Sequence, residues 1–192
     1  MTLLVFNRQN NSHLRLLSTL HYSNLTQSTL LMKLNLDRLT VVNCGQNYER
    51  EAAAGAYACP ADGPQGSFQN NQYMGLCWQR AVRLVGPLHG VVDIDPISGL
   101  ATLLWNNEKA NGLSDDALIV QARELLPLMF PQKKTVQRVF VLGDMQETRF
   151  HKDTPGGMFP RKKYLNVQCL KATTAADLAQ KLNDKDWTTF CQ

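Results

Sequence analysis

The sequence predicts an α+β domain: an antiparallel or mixed sheet covered by helices on one side, with a basic β-hairpin arm projecting from it. Three observations carry this expectation. Apolar residues alternate with a period of two in short runs such as Leu30, Met32, Leu34 and Leu36, the pattern of a half-buried strand. VVDID and LATLLW flank Pro96-Ile97-Ser98-Gly99, standard turn residues between two apolar runs, so Val91–Trp105 reads as a hairpin. Two segments, 114–130 and 173–185, instead repeat at helical spacing behind a capping hydroxyl.

In order, Thr2–Phe6 is short and apolar and reads as a strand. Ser12 can cap a short helix carrying Leu14, Leu17 and Leu20, although the same run also supports a strand. Thr29–Leu36 is the alternating strand, and Asp37-Arg38 turns it into a second, Leu39–Cys44, rich in β-branched residues. Glu49–Ala54 forms a short helix stopped by Gly55. The run CPADGPQGSFQNNQ has no hydrophobic period, so a long loop is expected at about 55–72. Tyr73–Val85 reads as a helix with Leu76, Arg80 and Arg83 on one face, with a strand as the alternative.

After the hairpin, Ser114 caps a helix whose buried stripe is Leu118, Ala122, Leu125 and Leu126, with Pro127 limiting it. Val136–Leu142 is apolar on both faces and reads as a central strand. Tyr164–Leu170 alternates and reads as the strand returning beside it. Thr174 caps the last helix, with Asp177 three residues on and Leu178 and Leu182 facing inward. Trp187 and Phe190 close the core.

At 192 residues, 44% hydrophobic and 19% charged, the chain is of ordinary globular composition and long enough for a single domain, 1–192, with its own core. The N-terminal apolar run ends at Phe6 and lacks a basic flank, so no signal peptide is expected. No apolar stretch approaches the roughly 20 residues that span a bilayer. Cys44, Cys59, Cys77, Cys169 and Cys191 form no Cys-x-x-Cys pair. They read as small buried hydrophobes, and their odd number suits a reducing, cytoplasmic setting.

The charge is concentrated. The net charge is +4, and the stretch Arg149–Tyr164 sets Arg149, Lys152, Arg161, Lys162 and Lys163 against the single acid Asp153. If Val136–Leu142 and Tyr164–Leu170 are neighbours, residues 144–163 project as a hairpin arm. Such an arm suits nucleic acid, RNA or single-stranded DNA: the five cations neutralise phosphates while Phe150, Phe159 and Tyr164 stack on unpaired bases. His151 lies within the stretch, and Arg80 and Arg83 are second-rank contributors. The expected function is therefore non-enzymatic nucleic-acid binding, in a subunit of a nucleoprotein complex, with no cofactor.

Two alternatives have their own residues. The arm and the 55–72 loop could dock a protein partner, since arginine and aromatics are enriched at interfaces. Asp93 and Asp95, two apart on a strand, could hold a divalent metal in a nuclease. The phosphate loop, the dinucleotide fingerprint, the nucleophile elbow and the zinc-protease motif are all missing from the sequence.

Overall fold

The computed structural model describes residues 37–132, 134–158 and 160–192, and the elements expected at Thr2–Phe6, Ser12–Leu20 and Thr29–Leu36 lie outside them. The described strands are β1 (Arg38–Asn43), β2 (Ala56–Pro60), β3 (Tyr73–Trp78), β4 (Ala81–Ile94), β5 (Ala101–Asn106), β6 (Gln137–Leu142), β7 (Gln146–His151) and β8 (Lys162–Asn166). The helices are α1 (Tyr48–Ala54), α2 (Gly63–Gly66), α3 (Asp115–Met129) and α4 (Ala175–Leu182). The fold is α+β, its eight strands joined in one mixed network with order β2-β6-β4-β3-β1-β8 and with β5 and β7 added on β4. Among these described strands only β1 and β3 run parallel; the other pairings are antiparallel.

The 14-residue β4 organises this network. Its first half lies between β3 and β7, and its second half between β5 and β6. The change of partners falls around Gly86-Pro87-Leu88-His89-Gly90, where the register also shifts. Proline offers no ladder N–H, and glycine permits close approach. At Gly90 that approach is required, because a Cβ would collide with Leu118 of α3 and the Trp105 carbonyl.

Side chains alternate along the strands into three apolar clusters. Leu39, Val41, Val82, Phe150 and Leu165 pack with Leu178 and Leu182 of α4. Ala58, Val92, Val139 and Val141 pack with Leu118, Ala122 and Met129 of α3. Between them, Val42, Met74 and Leu76 from β1 and β3 meet Tyr57, Val91 and Phe140 from β2, β4 and β6. The two capped helices therefore cover opposite outer faces, and the expectation of helices on one side is corrected. Strands buried on both faces carry continuous apolar runs instead of alternation, which explains LTVV, YMGLCW and RVFVL.

That burial also explains why Tyr73–Val85 imitates a helix. It is a two-stranded hairpin: Trp78 pairs with Ala81 across a two-residue turn. Gln79 and Arg80 sit at φ +49° and +60°, the positive-φ geometry of a type I′ turn, without the glycine or asparagine that usually announces one. Within the expected 55–72 loop, Ala56–Pro60 forms β2 and pairs with β6, and Gly63–Gly66 makes one helical turn. Helix α3 continues past Pro127 to Met129. The expected strand to Leu170 ends at Asn166 and is followed by a 3₁₀ turn.

Other expectations agree with the structure. The β4–β5 hairpin is present, its turn held by Asp95, whose carboxylate accepts from the Ile97 N–H at 2.9 Å and the Ser98 hydroxyl at 2.6 Å. Strand β6 is central, between β2 and β4. Ser114 accepts from the Ala117 N–H and Thr174 from the Asp177 N–H, both at 3.1 Å. Cys44, Cys59 and Cys77 are buried free thiols. Cys169 and Cys191 depart from expectation: both are exposed, and they form a disulfide with a Cα–Cα distance of 5.7 Å. No helix among the described residues is long and apolar enough to cross a membrane.

Candidate functional site

The basic stretch does not form a hairpin arm. Strand β8 pairs with β1, and β6 lies between β2 and β4, so the two strands expected to flank the arm are not neighbours. Residues 146–151 are themselves a strand, β7, paired with the first half of β4. Within it Thr148 and Phe150 are buried, an alternation partly hidden by the polar residues between them. Counting β7-β4-β3-β1-β8, the two ends of the stretch are four strand spacings apart, about 19 Å.

Its side chains are placed as follows. Phe150 is 0% exposed, with ring centroids 5.3 Å from Phe190 and 6.1 Å from Trp187. Lys152 is 7% exposed; its Nζ donates to the carbonyls of Thr154 and Gly156, each at 2.7 Å, and lies 5.9 Å from the Trp187 ring. Arg80 donates to the carbonyls of Lys152 and Thr154 at 3.0 and 3.1 Å. Lys162 Nζ donates to the carbonyls of Pro64, Gln65 and Ser67 and sits 4.0 Å over Phe68. Burial lowers its pKa. The half-buried Tyr164 accepts from the Gln69 N–H at 3.0 Å. His151 and Arg83 are half-buried, and Phe159 lies outside the described residues.

Arg149, Arg161 and Lys163 are exposed. Arg149 and Lys163 do not converge. Phe150 and Leu165 both face the α4 cluster; Arg149 adjoins Phe150 and so points the other way, whereas Lys163, two residues from Leu165, points the same way. Asp93 and Asp95 are likewise engaged by the protein. Asp93 is closed in a bidentate pair with Arg138 at 2.7 and 2.8 Å, and Asp95 holds its turn. Among the described residues no group of three or more His, Cys, Asp or Glu side chains is placed to hold a metal.

A different corner leaves polar groups open. Strand β1 ends in Asn43-Cys44-Gly45, where Asn43 Oδ1 accepts from the Gly45 N–H at 3.1 Å and Gly45 takes φ +56°. One turn later the chain enters α1, stopped by Gly55 in the left-handed conformation. The helix turns Glu51 inward, against a cavity of about 140 Å³ lined by Cys44, Glu51, Tyr57, Cys59, Gln137 and Arg161. A second hollow of about 290 Å³ is bounded by Asn43, Gly45, Gln46 and Asn47; Asn43, Cys44, Asn47 and Arg161 line both.

Glu51 is 1% exposed and Gln137 0%. Glu51 Oε2 and Gln137 Oε1 have no hydrogen-bond partner. The Gln137 amide orientation is fixed from its other end, where Nε2 donates to the Thr135 carbonyl and hydroxyl at 2.8 and 2.9 Å; an oxygen there could not donate. Burial raises the Glu51 carboxyl to about 7, offset in part by a hydrogen bond from the Cys44 thiol and by the charge of Arg161. Burial, then the charge of Glu51, pushes the Cys44 thiol far up, and burial raises Cys59 to about 12. A thiol held protonated is a poor nucleophile. Arg161 is fixed at the rim: its carbonyl accepts from the Asn43 N–H at 2.8 Å and its φ is +73°.

The sequence carries one trace of this site. In Tyr48-Glu49-Arg50-Glu51-Ala52, Glu51 falls at helical spacing from Tyr48, beside the inward face. Comparison with protein-family models, with curated proteins and with solved structures returned no match.

Proposed function

We propose that this chain is a small-ligand-binding protein whose site is the polar cavity beside Cys44, Glu51 and Gln137. The observation that supports it is a single one: two fully buried side-chain acceptors, Glu51 Oε2 and Gln137 Oε1, line one cavity and each lacks a hydrogen-bond partner. Leaving a buried polar atom unpaired costs about 1–3 kcal/mol, more for a charged group. Such groups stand out in a native fold and point to a bound species. The left-handed Arg161 at the rim adds to this reading, since backbone strain in non-glycine residues gathers at functional sites. A thermal-shift screen with small polar molecules tests it. A stabilising compound whose effect is lost in Gln137→Leu is expected; a screen that moves neither protein overturns the reading.

A second reading keeps nucleic acid as the partner of a cytoplasmic protein. What favours it is that Arg149, Arg161 and Lys163 are exposed with no carboxylate in ion-pair range among the described residues. Replacing all three by alanine then reduces the salt-dependence slope for a single strand by about 2. A slope unchanged by the triple substitution counts against it. A complex that survives high salt and nuclease treatment favours docking to a protein instead.

A further inference from the structure

We infer that the ligand of this cavity is a small zwitterion of the amino-acid type, its ammonium on Glu51 and Gln137 and its carboxylate at Arg161. This rests on the cavity being a ligand site and goes on to name the chemistry that fills it. The donor end of Gln137 is already engaged. Gln137 Nε2 is bound to the Thr135 oxygens. Buried against the cavity and without a partner are the two acceptors Glu51 Oε2 and Gln137 Oε1. A group seated there must donate, and a carboxylate in a buried site favours a cationic donor over a neutral one.

A bare cation is the poorer fit. Arg161 lines both hollows, and its positive charge disfavours an uncompensated second one. A ligand with an anionic group a few bonds from its ammonium satisfies both ends. The inner cavity, about 140 Å³, is near the size that accepts about six heavy atoms elsewhere. The neighbouring 290 Å³ hollow leaves room for the carboxylate against Asn43, Asn47 and Arg161.

The titratable and charged groups facing Glu51 are Cys44, Tyr57, Cys59 and Arg161. Burial raises the two thiols and the phenol, so they stay protonated around neutral pH. Glu51 is thus the group in this corner that titrates near pH 7. Binding of an ammonium requires its ionised form, so affinity rises with pH to a plateau above 7.

Isothermal titration of the full chain with the proteinogenic amino acids, γ-aminobutyrate and taurine, at pH 6 and pH 8, is the test. At least one binds more tightly at pH 8. Its desamino and decarboxylated counterparts bind at least about tenfold more weakly, each having lost one charged contact. Glu51→Gln removes the pH dependence, and the surface variant Arg161→Ala weakens the amino acid while sparing its decarboxylated amine. A neutral or anionic compound that binds the cavity equally in wild type and Glu51→Gln overturns the zwitterion and leaves the ligand site standing. Failure of every compound in both this titration and the thermal-shift screen overturns both.

Discussion

The stretch Arg149–Tyr164 and the corner Asn43–Glu51 divide the molecule's polar chemistry in opposite ways. The basic stretch holds the densest positive charge in the sequence, yet the fold turns much of it inward. Lys152 and Lys162 bind carbonyls, Arg80 reaches across to the same segment, and Phe150 is core. The corner is bland as sequence, yet its buried Glu51, together with Gln137, turns an unpaired acceptor toward a cavity. Charge density along a chain shows where cations are abundant. Hydrogen-bonding capacity left open after folding shows where a ligand can gain from binding.

That contrast can be broken most forcefully at Phe150. As a core ring against Phe190 and Trp187, Phe150→Ala lowers unfolding stability by about 3–5 kcal/mol in denaturant titration. A base-stacking residue on an exposed arm would cost almost nothing. Next in size is the pH dependence carried by Glu51. Its carboxyl rises from an ordinary 4.5 to about 7 on folding, so its protonated form favours the folded state. The stability it contributes is complete below about 4.5 and is lost as pH rises through 7, by about 3 kcal/mol in all. In Glu51→Gln this part of the pH–stability curve becomes flat.

Lys152→Met comes third. It removes a charged donor from the carbonyls of Thr154 and Gly156 and costs about 1.5–3 kcal/mol by chemical denaturation. A solvated lysine would leave stability unchanged. Smallest is the double variant Arg149→Ala, Lys163→Ala, which stays within about 0.5 kcal/mol of wild type because neither side chain makes an ion pair among the described residues.

The contrast between the two regions also explains what was legible in the sequence. Local signals survived folding: the Ser114 and Thr174 caps, the Asp95 turn between β4 and β5, and the two-sided apolar run of β6. Long-range facts were hidden. Strands β3 and β4 show no alternation because both their faces are buried, and Gln79-Arg80 is an uncommon pair for a positive-φ turn. Expecting β8 beside β6 created the hairpin arm; its actual partner is β1, more than a hundred residues earlier. Cys169 and Cys191 carry no spacing signature and meet only through the turn of the C-terminal segment. The site was the least legible part. Glu51 is one carboxylate in a short helix, and its importance depends on Gln137, which belongs to the distant strand β6.

The most direct test is an amide-resolved NMR titration that follows both regions in one sample, first with amino acids and then with a single-stranded oligonucleotide. Shifts confined to Asn43–Glu51, Gln137 and Arg161 are expected on adding a bound amino acid, with Arg149 and Lys163 unmoved by either addition. Shifts at Arg149 and Lys163 with the oligonucleotide, and a silent cavity with every amino acid, would contradict that expectation.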